Sequence, residues 1–416
     1  MRIGIIGGGA AGVITAWLLE QDHDVTLFER DTRLGGHCHS VAVELNGRTH
    51  HVDAGIHYFS DPLQPTFMKL LRQLQAPFIS YHPNATFHDS RSDWTVCMPP
   101  FGSIARMGGL AQARTLNALL GLRKVIQCAV ELVEGDGDFY IPLEEFVSRL
   151  LLPPRFTEGF LYPYLGSFWG VSADEVRTYS ARNVLSYLVL LRPPVVSPLP
   201  SFEMVGGMSA YIDLLVRDMN RASLHTGATI EEITRNEGRY QVTANGEVHE
   251  FDHLVIATNA AQAHTLLQGV PGMEAQRGAL ALVEYFDTTI AIHGDPTFMP
   301  PNRAHWSTVN GMYDGEYCST TDRCHGNRNV DLFRSWITHS PRKPNPCYAE
   351  ITFQHPRPTP AYFRCQTQLD HHQGKNNLWL AGMYATNYDS HEGVVRSALR
   401  VAEALAPHAE RLSFTR

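Results

Sequence analysis

Arg2-Ile3-Gly4-Ile5-Ile6-Gly7-Gly8-Gly9-Ala10-Ala11-Gly12-Val13-Ile14-Thr15-Ala16-Trp17-Leu18-Leu19 decides how the rest of the chain is read. Residues 2–6 form an apolar run of strand length. The glycines turn the chain, and residues 13–20 read as a helix. A second apolar run, Val25-Thr26-Leu27-Phe28, ends on Glu29, twenty positions after Gly9. Strand, glycine turn, helix, strand and acid are the context a dinucleotide fingerprint requires. Gly7 permits the sharp turn, Gly9 lets a pyrophosphate approach the backbone, and Gly12 lets the helix pack on the sheet. The helix N-terminus, opening at Ala10 and Ala11, offers unpaired N–H groups to phosphate. Glu29 has the chemistry to accept hydrogen bonds from both ribose hydroxyls. The fingerprint alone leaves FAD and NAD open.

Length and composition set the outer bounds. The chain has 416 residues, 44 % of them apolar, enough for a large core and two or three lobes. Net charge is −8, from 34 basic and 42 acidic side chains, which argues against nucleic acid as a partner. Lysine occurs only at Lys69, Lys124, Lys343 and Lys375. The seven cysteines have no regular spacing, which fits reduced thiols in the cytoplasm. The first strand begins at residue 2, so no signal peptide is expected ahead of it. No run reaches the roughly 18 apolar residues of a membrane span; peripheral membrane contact stays open, as does the oligomeric state.

Arg30-Asp31-Thr32-Arg33-Leu34-Gly35-Gly36-His37 follows Glu29, and here the chain resembles the FAD-containing amine-oxidase superfamily. The resemblance implies FAD, with Arg30, Arg33 and His37 near the pyrophosphate and the Gly35-Gly36 amides on its flavin side. The other end agrees. Asn377-Leu378-Trp379-Leu380-Ala381-Gly382 reads as a buried strand closing on glycine. After Met383 and the loop to Asp389-Ser390, apolar residues recur at helical spacing to Leu405. In the superfamily this last helix aims its N-terminus at the flavin edge that carries negative charge when reduced. Glu392, Gly393, Val394 and Val395 are then the edge residues. Gly382 and Met383 fall by the ribityl chain. Many members have an acid where this chain has Met383, so that contact comes from elsewhere or from the backbone.

Between the ends, Val41–Leu45 and Thr49–Val52 alternate about Asn46-Gly47, a hairpin signal. Asp53-Ala54-Gly55-Ile56-His57-Tyr58 follows. By the resemblance this loop passes the flavin ring, with Gly55 and Ile56 against it and His57 and Tyr58 at the reacting face. Residues 62–77 read as a helix. Residues 79–81, 85–88 and 94–98 read as strands of a second sheet. From Ile104 to Leu191 the pattern is helical, with breaks at Pro142, Pro153-Pro154 and Pro193-Pro194. Within it, Trp169-Gly170-Val171-Ser172-Ala173-Asp174-Glu175 resembles a segment of protoporphyrinogen-oxidase-like proteins and UDP-galactopyranose mutases. Gly206-Gly207 marks the return of the chain to the first domain. Strands follow to Ala257-Thr258, and the resemblance places Ile230 at the adenine and Thr258 near the phosphates. His293-Gly294-Asp295, Met299-Pro300 and Trp306-Ser307 resemble a bacterial branch, predicted FAD-binding proteins associated with cyclopropane-fatty-acid synthases.

The expected fold is α/β. A discontinuous Rossmann-like FAD-binding domain takes residues 1–78, 201–280 and 371–416. An inserted α+β substrate domain has its sheet in 79–103 and 281–370, and a helical lobe, 104–200, covers the active site. The superfamily's amine oxidases place a lysine on the strand entering the substrate domain. The comparable place here holds Thr288 or Thr289, and Thr289 joins His57 and Tyr58 as a catalytic candidate. Cys318, Cys324 and His325 match no zinc spacing, and no metal is expected. The expected function is transfer of a hydride from a small-molecule substrate to FAD, without the usual lysine. The alternative is a redox-neutral flavin isomerase or mutase, acting on a fatty-acid double bond or a sugar.

Overall fold

The computed structural model describes residues 1–135, 137–192, 199–323 and 330–415. Five strands form a parallel sheet in the order Leu378–Leu380, His253–Ile256, Arg2–Ile6, Asp24–Glu29, Ser223–Thr226. Arg2–Ile6 is central, so Ile3, Ile5 and Ile6 are buried on both faces, as a parallel sheet demands. The helix Ala10–Leu19 crosses over it and is buried along its whole length. It shares one apolar core with Val395, Ala398, Val401 and Ala402 of the last helix, His391–Leu405. The two ends of the chain therefore meet on one sheet.

A second sheet has seven strands, in the order Cys347–Pro356, Tyr285–His293, Phe333–Trp336, Cys318–Asp322, Val309–Tyr313, Ala85–Asp89, Trp94–Cys97. One face of it packs Ile290 and Ile292 against Val43 and Val52 of the hairpin Ser40–Leu45/Arg48–Asp53 and against Ala54 just beyond it. Asn46 and Gly47 both take positive φ, as the tight turn needs. Helices from Ile104 to Val189 pack around Phe160, Leu165, Val171 and Tyr179 as a separate core. The proline breaks at Pro193-Pro194 lie outside the described residues. No helix among the described residues is long and apolar enough to cross a membrane.

Local departures from the sequence reading have physical causes. The helix expected over 62–77 spans Pro65–Gln73, because Pro65 starts it and Gln75, at φ 51°, cannot continue it. Phe78–Tyr81 does not join the large sheet. It pairs antiparallel with Ser201–Met204, so the chain leaves and re-enters the first domain side by side. Glu20, fully buried, accepts N–H bonds from Asn220, Arg221 and Ala222 and is paired with Arg411, which ties the C-terminus to the same domain.

Candidate functional site

The glycine turn is built backbone against backbone. Gly7 takes φ +108°, and a Cβ there would lie 2.7 Å from the Ala257 carbonyl oxygen. At Gly12 a Cβ would lie 1.9 Å from the Gly7 carbonyl oxygen. At Gly9 a Cβ would meet nothing within 4 Å. Open space thus begins at the glycine where a pyrophosphate must approach. Glu29 accepts from the Gly8 N–H (2.6 Å) and the Asp31 N–H (2.8 Å), which holds its carboxylate beside the turn. Gly35 N–H donates to the Gly8 carbonyl (2.8 Å), bringing Gly35-Gly36 alongside Gly9. Arg33 donates to the carbonyls of Gly36 (2.6 Å) and Cys38 (3.4 Å), so its guanidinium fixes the shape of this loop.

His37 is solvent-exposed although protein atoms crowd around it. Burial, then the neighbouring His355 and Arg33, push its pKa down to about 4, and the ring is neutral at ordinary pH. Gly55 runs so close that a Cβ would lie 2.0 Å from the His37 carbonyl oxygen. The loop it belongs to is clamped from the large sheet. Buried Arg334 donates to the carbonyls of Ala54 (3.1 Å) and Gly55 (3.3 Å) and pairs with Asp322 (2.9 Å). His57 Nε2 stands 3.3 Å from the same Asp322 carboxylate. His57 and Tyr58 stack edge to face at 4.4 Å.

Pairing register decides which threonine faces this region. Thr288 sits opposite Phe353, whose ring meets His37 edge-on at 4.7 Å. Thr289 is on the other face, with its hydroxyl 3.1 Å from that of Thr352 and its N–H bonded to Thr338. Of the two, Thr288 stands on the face toward His37 and Thr289 on the opposite one, since neighbours in a strand point to opposite faces. The Thr288 hydroxyl is buried without a hydrogen-bond partner.

The last helix approaches from the other side. Its Glu392 is not free for a cofactor. The carboxylate accepts from the N–H groups of Thr66 (2.9 Å) and Phe67 (3.1 Å) and from Arg396 (2.7 Å), capping the helix Pro65–Gln73. Only the backbone around Glu392, Gly393, Val394 and Val395 is left to face the cleft. Gly393 packs on the Tyr388 carbonyl and on the Thr386 hydroxyl, which has no partner. His391 bonds to the Tyr211 hydroxyl (2.7 Å), and burial and the nearby His37 push it down to about 3. Buried Asp389 accepts from Asn183 of the helical lobe (3.2 Å), and Trp169 also bonds to its carboxylate. Tyr187 donates to the Asp389 carbonyl (2.9 Å). Burial raises the Asp389 carboxyl above the usual range, against the opposing effect of His355.

The remaining candidates scatter as follows. Ala10 and Ala11 open the first helix beside Gly9. Thr258 and Gly382 sit next to the Gly7 turn. Ile56 and Met383 are half-buried. Ile230 lies two residues beyond Ala228, whose N–H bonds to the Glu29 carbonyl (2.8 Å). Arg30 extends into solvent by Asp31 and makes no inward contact. The Trp169-Gly170 turn packs on the Trp336 ring, and Trp169 is core. His293, bonded to Ser335, and Asp295, bonded to Thr297, stabilise the far face of the large sheet. Cys324 and His325 lie outside the described residues. Sequence reasoning missed Arg334, Asp322, Trp336 and His355. The alternating pattern of Cys347–Pro356 was the signal available for His355.

Asp53 anchors the return of the chain. It accepts from Ser40 (2.5 Å) and from the Met208 N–H (2.7 Å), just past the Gly206-Gly207 turn. Burial pushes its pKa up to about 7, although both hydrogen bonds oppose this. An unfolded chain ionises this group near 3.8, so native stability falls as pH rises from there through 7. Asp53→Asn keeps the acceptor oxygen and removes the charge. Its urea midpoint is expected to exceed the wild type's at pH 8, by a few kcal/mol in stability, and to match it near pH 4.5. Equal midpoints at pH 8 would contradict this.

Together these features define a class. The chain is an α/β protein with a Rossmann-like dinucleotide-binding domain, in the fold of the FAD-binding amine oxidases. The family described as NAD(P)-binding Rossmann-like domain matches residues 5–74. Over 58 residues the chain is 41 % identical to an uncharacterized protein of the nifH2 3′ region of Methanothermococcus thermolithotrophicus, covering 14 % of this chain and 52 % of that protein. The match thus spans about half the length of that curated relative. Among solved structures, a CLA-producing fatty acid isomerase from P. acnes superposes with a TM-score of 0.69 at 15 % identity, covering 97 % of this chain and 98 % of that one. Cyclohexylamine oxidase from Brevibacterium oxydans IH-35A gives 0.67 at 12 %, covering 98 % and 99 %. An oxidoreductase from Methanosarcina mazei gives 0.64 at 13 %, covering 97 % and 100 %.

Proposed function

We propose that this chain is a cytoplasmic FAD-dependent oxidoreductase that takes a hydride from a small-molecule substrate. The observation that carries this reading is the open space at Gly9, beside the glycine turn and the Glu29 carboxylate. A Cβ at Gly9 would meet no atom within 4 Å, and the buried hydroxyls of Thr288 and Thr386 have no partner within the protein. Buried polar groups are rarely left without partners, and a long polar cofactor supplies them. These residues fit FAD. The amides at Gly9–Gly12 and Gly35-Gly36 would hold the pyrophosphate, Glu29 the ribose, and Ala228–Ile230 the adenine. Gly382-Met383 and the backbone of Gly393-Val394 would flank the flavin. On this reading residues 1–78, 201–280 and 371–416 make the cofactor domain, and 104–200 roofs the substrate.

Bound FAD supplies the hydride acceptor. The chain's own groups do the rest. Arg334 and Asp322 fix the Ala54-Gly55 loop, and His57 and Tyr58 project from it. Asp389 holds or receives the substrate's exchangeable proton, because burial raises its carboxyl above the ordinary carboxylate value. Thr288 replaces the superfamily's lysine and can bind water but brings no cation.

That missing cation also favours a second reading, redox-neutral flavin chemistry, and a fatty acid isomerase from P. acnes is among the proteins of similar fold. One assay separates the two. The purified protein is expected to be yellow, and a panel of amines, alcohols and unsaturated fatty acids is added without oxygen. Bleaching of the flavin followed by peroxide on re-aeration supports oxidation. Turnover only after prior reduction, with no peroxide, supports isomerisation. A colourless protein that takes up no FAD overturns both.

A further inference from the structure

The segment Trp94–Val130 contains no acidic residue, in a chain of net charge −8. It carries Arg106, Arg114, Arg123 and Lys124. Arg106 is buried and Arg114 is paired with Asp89, which leaves Arg123 and Lys124 at the surface. The helix Ala113–Glu134 turns Thr115, Ala118, Leu122, Val125, Ala129 and Val133 inward. Its outward face bears Leu116, Leu120 and Arg123, spaced i, i+4 and i+7, followed toward the helix end by exposed Glu131. Leu116 is 46 % and Leu120 54 % exposed. Just before the helix, Ile104 is 87 % and Met107 45 % exposed.

A second segment completes the face. Lys124 donates to the Leu150 carbonyl (3.2 Å), which brings Leu151, 88 % exposed, alongside. The Phe156 ring packs on Gly121, which sets Arg155 next to this helix. Neither Arg123 nor Arg155 has an ion-pair partner among the described residues. Of the ten exposed large apolar side chains among the described residues, five lie on or beside this helix, between Ile104 and Leu151.

We propose that this face of the helical lobe docks on the surface of an anionic phospholipid bilayer without crossing it. Mixed apolar and basic character on one helix face is what such an interface binds. A second copy is a poor occupant, because a symmetric dimer sets the same patch against itself and cation against cation. A phosphate backbone would satisfy Arg123, Lys124 and Arg155 but leave Ile104 and Leu151 in water.

Co-sedimentation of the full-length, FAD-loaded protein tests this, with phosphatidylcholine vesicles with and without phosphatidylglycerol. The protein is expected to pellet with the anionic vesicles and largely to stay in solution with the neutral ones. Arg123→Ala/Lys124→Ala/Arg155→Ala is expected to weaken binding by about two orders of magnitude, at ~1 kcal/mol per cation. Leu116→Ser/Leu120→Ser should weaken it without altering the salt dependence. All five positions are exposed, so both variants keep the wild-type melting temperature. The proposal fails if wild type stays in solution with anionic vesicles, or if both variants bind as tightly as wild type. It fails equally if the same substitutions instead abolish a concentration-dependent dimer, which would make a second copy the occupant.

Discussion

Gly9→Val is expected to melt with the wild type when free of cofactor and to bind FAD about a hundredfold more weakly. The first half rests on local geometry. Gly9 has φ −66° and ψ 176°, an extended conformation open to any residue. It precedes the first helix, so the exchange costs little helical propensity, and a Cβ meets no atom of the protein. The second half follows from the same emptiness. If the pyrophosphate occupies that space, a valine there overlaps it, and overpacking of this kind costs about 1–3 kcal/mol. The upper end is about a hundredfold in affinity. Gly12 gives no such test, because its Cβ would strike the Gly7 carbonyl and disturb the fold itself. Calorimetric titration of the apo variant with FAD, beside thermal melting, decides the matter. Wild-type affinity in a normally folded Gly9→Val protein would mean that the open space serves something other than the cofactor.

The contrast between these glycines shows what the sequence could reveal. The turn at Gly7–Gly12, Glu29 and Gly35-Gly36 is local, and each residue's reason lies within thirty positions of the next. Such a site is legible because backbone conformation and close approach demand glycine wherever they occur. The opposite wall was not legible. Arg334 reaches Ala54 and Gly55 across about 280 positions, and nothing local marks an arginine as a clamp rather than a surface charge. Thr288 and Thr289 differ only in strand parity, and a shift of one residue reverses every side chain's face. Only pairing with Phe353 settles it. Glu392 misled for a related reason. An acid in a first helical turn ordinarily reads as complementing its own helix dipole, whereas this one caps a neighbouring helix 326 positions away. The short strand Ser223–Thr226, with a single large apolar side chain, gave no pattern to read.

Asp389→Asn is expected to lower kcat by about two to four orders of magnitude while leaving FAD affinity unchanged. The substitution is close to isosteric. Its amide can still meet Asn183, and the backbone carbonyl still accepts from Tyr187, so the junction between the lobe and the last helix survives. What goes is the capacity to exchange a proton. The wild-type carboxyl is raised by burial, so the rate should follow its ionisation above the ordinary carboxylate range. The asparagine variant should lose that limb of the pH profile. Stability moves the opposite way. A raised carboxyl favours the fold only while protonated, so wild-type stability declines as pH climbs above the ordinary carboxylate value, and the variant escapes that decline. A purely structural role predicts the reverse pair of results: a less stable protein whose remaining activity keeps the wild-type pH profile. Measuring the rate of anaerobic flavin bleaching against pH, with the substrate that the panel identifies, and melting both proteins at pH 8 distinguishes them. A kcat within a few-fold of wild type, with the pH profile intact, would remove Asp389 from the chemistry.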